Sequence, residues 1–104
     1  MGNLQALYRL LSEYKEFKRS LEDLLDNLKN ALDPLEFASR NIQETFLYND
    51  YGADNQKIAS NRGKINNVIV TVERVILPEV NRKITSINRQ IADAEMAQAL
   101  NASM

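Results

Sequence analysis

The chain has 104 residues, 44% of them hydrophobic, with 13 basic and 14 acidic side chains and neither histidine nor cysteine. Length and apolar content suit one folded domain, and a net charge of −1 sets up no field to draw nucleic acid or an anionic membrane. Disulfides, thiolate nucleophiles, the commonest general base and the commonest metal ligand are excluded together.

The opening MGNLQALYRLLSEYK has no basic region followed by an apolar core, so no general secretory signal is expected there. Ala6 stands where a myristoylation motif wants Ser or Thr. From here a first arm, about residues 3–47, carries apolar residues at alternating steps of three and four. Leu4, Leu7, Leu11, Tyr14, Leu21, Leu25, Leu28, Leu32, Leu35, Ile42 and Phe46 fall on one heptad seam, interrupted only by Lys18 and Ser39. Asp33, Pro34 and Glu36 together make a helix-start signal, yet the seam passes through them without a phase change. The reading is one long helix kinked at Pro34, with a break there as the alternative.

The stretch YNDYGADN, residues 48–55, gathers turn formers and capping residues, so the bend is expected at about 48–56. Gly52 is expected to supply a backbone conformation that other residues resist, and Asp54 or Asn55 to cap the next helix. Gly63 and the nearby asparagines weaken that helix, whose start is expected to fray to about residue 63.

The second arm, about residues 57–100, keeps a different beat. Ile58, Ile65, Ile69, Val72, Ile76, Val80, Ile84, Ile87 and Ile91 step mostly by four, with eleven residues between Ile65, Ile76 and Ile87. Eleven-residue spacing predicts a nearly straight or slightly right-handed winding, and Pro78 predicts a kink. The halves differ mildly in charge: residues 1–52 hold 6 basic and 9 acidic side chains, residues 53–104 hold 7 and 5. The expected fold is all-α, a single domain over residues 1–104: a long antiparallel two-helix hairpin. Apolar residues beside the main rows (Tyr8, Phe17, Leu24, Phe37, Leu47, Val68, Val75 and Leu77) widen both stripes beyond what one partner helix covers. Dimerisation into a four-helix bundle follows, with Leu21, Leu25, Leu28, Leu32, Ile69, Ile76, Ile84 and Ile87 in the bundle cores.

Chemistry is sparse. Glu13 with Glu16 and Glu22 with Asp26 lie at helical spacing on the charged outer face, the ordinary place for solvated carboxylates. Asp50 and Asp54, with Asn49 and Asn55, lack the glycine and closing glutamate of a calcium loop. Arg62, Lys64, Arg74, Arg82, Lys83 and Arg89 are interspersed with Glu73 and Glu79 and accompanied by no aromatic residue, unlike a nucleic-acid face. No enzymatic activity, cofactor, metal, small molecule, nucleic acid or membrane insertion is expected. Surface for a protein partner remains.

A hairpin of this length, free of cysteine and bent near its midpoint at an aromatic-glycine pair, resembles the WXG (ESAT-like) superfamily of type VII secretion. The YRLLSEYKEFKRSLEDLLDNLKNAL opening and the closing NRKITSINRQIADAEM are similar to the small helical proteins encoded beside LXG toxins in Gram-positive bacteria. Tyr51 is followed directly by Gly52 where the family has Trp-x-Gly, and no Tyr or Phe follows Tyr51 to begin the family's terminal export signal. Phe46 and Asp50 have that signal's spacing but lie at the end of the first arm. The resemblance implies a partner of a toxin's helical targeting domain or of a sister hairpin, cytoplasmic before export and secreted without a cleaved signal peptide. It also makes Tyr48, Tyr51 and Gly52 recognition candidates at the bend. The alternative is a structural coiled-coil subunit that self-associates in the cytoplasm or in a phage particle, with a homodimer as its unit.

Overall fold

A computed structural model describes residues 2–103, which form two long helical arms and no strand. Helix α1 runs Gly2–Gln43; the return arm consists of α2 (Tyr48–Thr71), a π-helical turn (Val72–Ile76) and α3 (Leu77–Ser103). The arms lie antiparallel in a rod of 82 × 16 × 16 Å with a radius of gyration of 23.1 Å. A compact chain of this length would have a radius of about 13 Å.

The strict three-four alternation of α1 produces the pattern it predicts. Leu4, Leu7, Leu11, Tyr14, Leu28, Leu32, Leu35 and Ile42 are half-buried, and Leu21 and Leu25 are buried. Ser39, which interrupts the row, is buried as well. Pro34 sits inside an unbroken helix, so the break at Asp33-Pro34 does not occur. Proline removes one backbone donor, leaving the carbonyl of Asn30 without its helical partner at an exposed residue.

The bend differs from its sequence reading. The non-helical linker is Glu44–Leu47, ahead of the turn formers, and α2 resumes at Tyr48. Thr45 closes it: its hydroxyl donates to the Asn41 carbonyl at 2.6 Å and accepts from the Leu47 amide at 3.2 Å. Of the expected 48–56 bend, one interruption remains, at Tyr51 with φ −121° and ψ 15°. Gly52 is helical and no glycine has positive φ among the described residues, so the expected special backbone conformation is absent. Asn55 caps nothing; it is buried within α2, which also runs through Gly63 without fraying. Phe46 is not core but 91% exposed, because α1 ends at Gln43, before the seam reaches it.

The return arm corrects the winding. In a regular helix of about 100° per residue, the run Val72–Ile76–Val80–Ile84, three steps of four, would drift about 120° around the axis. One residue is too many for a heptad seam. The π turn at Val72–Ile76 takes up that residue, as the Leu77 amide donating to the Val72 carbonyl, five residues back, shows. Val72, Val80, Ile87 and Ile91 are therefore all buried, and Ile76, Leu77 and Ile84 pack against the same cluster. The eleven-residue beat is a heptad with one local insertion, not a uniform change of winding. Pro78 lies two residues past this turn, where the carbonyl four residues before it, that of Arg74, lies in the widened segment.

Candidate functional site

The densest part of the seam is mid-rod, where Leu21, Leu25, Ile69, Val72 and Val80 form a buried cluster, with Leu28, Leu32, Ile76 and Ile84 packed against it. Ile87 is buried further along. All eight residues expected in bundle cores thus lie along the hairpin's own seam. Towards the bend the seam turns small and polar. Buried Ser39 and half-buried Arg62 share a cleft with Glu36, Arg40 and Glu44, and Asn55 buries a side-chain oxygen that has no hydrogen-bond partner.

The seam has two borders of opposite character. On α1, Tyr8, Lys15, Glu22, Lys29 and Glu36 recur every seven residues along one border. Across from them, Glu73, Asn81, Asn88 and Glu95 run down the return arm. Two links tie this edge: the Tyr8 hydroxyl donates to the Glu95 carboxylate, and Lys29 Nζ lies 2.5 Å from Glu73 Oε1. From Tyr8 to Lys29 is 21 residues and from Glu73 to Glu95 is 22, the surplus being the residue inserted by the π turn. The hydrogen bond to Glu95 chiefly holds the Tyr8 hydroxyl above its usual pKa, and the hydrogen bond to Glu73 chiefly raises that of Lys29.

The other border of α1 reads Leu10, Phe17, Leu24, Ala31 and Ala38, again seven apart and without a charge. Beside it on the return arm are Val68 and Val75, then Lys83, Gln90 and Ala97. Leu10, Phe17, Leu24, Val68 and Val75 are each between 39% and 58% exposed. Phe17 opens onto a shallow groove with Tyr14, Ile76, Val80, Glu79 and Lys83. One edge of the hairpin is polar and cross-linked; the other is apolar and open. Phe17 and Leu24 stand out in the sequence as surplus apolar residues, but the row they form with Leu10 and its joining with Val68 and Val75 depend on how the arms pair.

The bend candidates form a separate exposed group. Phe46, Leu47, Tyr48 and Tyr51 are exposed, and Asp50 lies in the first turn of α2, where its charge suits the helix N-terminus. The Tyr48 ring stands over Gly52, 3.6 Å from where a Cβ would be.

Among the described residues, no group of three or more His, Cys, Asp or Glu side chains is gathered to hold a metal ion, and no helix is long and apolar enough to cross a membrane. No family model, curated protein or solved structure matches the chain.

Proposed function

We propose that this chain is a non-enzymatic binding protein whose open apolar edge docks onto a helical partner, completing a four-helix bundle. One observation carries the reading. The hairpin exposes 7953 Å². A compact monomer of 11.9 kDa exposes about 6,000 Å², so on the order of 2,000 Å² is surplus. A standard protein interface buries about 1,600 Å² in total. Leu10, Phe17, Leu24, Val68 and Val75 line one edge within that surplus, apart from the exposed apolar residues at the bend and near the chain's end.

Within this reading the layout supports a place in type VII secretion, as partner of the helical targeting domain of an LXG-type toxin or of a sister hairpin. The complex would assemble in the cytoplasm and leave without a cleaved signal peptide. Bends at Pro34 and Pro78 would curve the arms around the partner. Tyr48, Tyr51 and Gly52 at the bend are its second recognition element, and Phe46 with Asp50 its export-type motif.

The test is calorimetric titration against the helical proteins encoded by neighbouring genes, with Phe17→Glu and Leu24→Glu alongside the wild type. Both variants should weaken binding at least tenfold, as loss of a central apolar anchor commonly does, while helix content is unchanged. Binding by neither a neighbour nor the chain itself, or binding indifferent to both substitutions, would overturn the proposal.

A further inference from the structure

We infer that the open edge takes a second copy of this chain, laid antiparallel along it with the two-fold axis at Leu24. This rests on the docking reading above and gives it a specific occupant. The sequence of the row carries the argument. Leu10, Phe17, Leu24, Ala31 and Ala38 run from large to small at one heptad spacing. Reversing a second copy about Leu24 sets Leu10 over Ala38 of that copy, Phe17 over Ala31 and Leu24 over Leu24. Away from the axis, where Leu24 meets its own copy, each large side chain meets a small one, which is how facing helix layers interdigitate.

The α1 charges agree. The next row outward, Ala6, Glu13, Ser20, Asn27, Pro34 and Asn41, holds a single charge, Glu13, and the reversal brings it beside Pro34. On the return arm Glu79 lies level with the axis and faces its own copy, each with Lys83 one turn along its helix, while Lys64 comes level with Asp93. On the return arm, Val68 and Val75 lie against the aliphatic stems of Gln90 and Lys83 of the second copy. The other two-fold arrangement, with both bends at one end, uses the register fixed by Tyr8 with Glu95 and Lys29 with Glu73. It sets Leu10 and Phe17 over the polar Gln90 and Lys83 and leaves Ala31 and Ala38 with no large α1 side chain to receive.

The area is sufficient. From Leu10 to Ala38 the face is about 42 Å long, and the rod is 16 Å wide. That gives on the order of 700 Å² per copy, close to the roughly 800 Å² of a standard interface.

The chain has no cysteine of its own, so a single introduced thiol reports the axis directly. Leu24→Cys should oxidise to a covalent dimer, because only residues near the axis approach their own copies within the roughly 7 Å between Cα atoms that a disulfide spans. Lys15→Cys, on the polar edge, should not. Ala31→Phe should raise the dimer dissociation constant about tenfold or more by sedimentation equilibrium, and adding Phe17→Ala should restore it by exchanging large for small. A dimer that does not cross-link through Leu24→Cys, or a double variant no tighter than Ala31→Phe, overturns this arrangement and leaves the docking reading standing. A wild-type monomer that binds another helical protein through Phe17 does the same.

Discussion

Val72 and Val80 are 3% and 4% exposed, on the same face of the return arm, although eight residues of regular helix would turn them about 80° apart. The π turn between them aligns them. It acts as the insertion of one residue into a heptad, so removing one residue there should restore a regular helix. Deleting the exposed Arg74 leaves Ile65, Ile69, Val72, Leu77, Val80, Ile84, Ile87 and Ile91 stepping by four and three throughout. The variant should remain folded, with a melting temperature within about 4 °C of wild type. Deleting Glu22 from α1, which has no such slack, rotates Leu4–Leu21 about 100° off the seam and should unfold much of the chain. Equal damage from both deletions would show that the π turn has no role in register.

Asn55 should be a cost to the fold. Its side-chain oxygen is buried without a hydrogen-bond partner, and a buried unsatisfied polar group costs about 1–3 kcal/mol. Asn55→Leu is therefore expected to raise stability by roughly 1 kcal/mol or more in urea unfolding. A lowered midpoint would mean that the amide supports the bend.

Gly52 and Gly63 are both helical, and neither is crowded: a Cβ at Gly52 meets the Tyr48 ring at ordinary contact distance, and at Gly63 it meets open space. Alanine at either position should stabilise by about 0.5–1 kcal/mol, the usual gain within a helix. A loss at Gly52 alone would point to a requirement for glycine that the backbone does not reveal.

Regular elements were legible in the sequence because α1 obeys one period from Leu4 to Ile42. The return arm was harder, since a heptad carrying a one-residue insertion looks like an eleven-residue repeat when read as residue spacings alone. The bend departs from its turn-forming residues for a different reason. Asn49, Asp50, Gly52 and Asn55 are common in turns, yet the Thr45 hydroxyl, bonded to Asn41 and Leu47, closes the linker before them. Phe46 has the spacing of the seam, but the helix stops three residues short of it. As for the open edge, Phe17 and Leu24 stood out as surplus apolar residues. Which side of the hairpin they share with Val68 and Val75 is fixed only once the arms are paired.

The polar edge should weaken in alkali. Tyr8 titrates above its ordinary 10.0 because its hydroxyl bonds to Glu95, and Lys29 above its ordinary 10.5 because of Glu73. Both folded-state values are raised, so their contribution is present below about pH 10 and is lost as pH rises through the raised values, that of Tyr8 above 10.0 and that of Lys29 above 10.5. Melting temperature should fall across that window, by a small amount because both groups are exposed. Tyr8→Phe combined with Lys29→Met should flatten the fall; an unchanged slope would dissociate these links from the pH response.

If the Leu10–Phe17–Leu24 edge is a docking surface and not a tolerated exposure, the chain associates in solution. The most direct test is the solution mass by light scattering at tens of micromolar, for the wild type and for Phe17→Glu with Leu24→Glu. The wild type should weigh about 24 kDa, twice the 11.9 kDa chain, and the variant should be a helical 11.9 kDa species. A wild type that stays at 11.9 kDa and gains no mass with any helical neighbour, or a variant of unchanged mass, would contradict it.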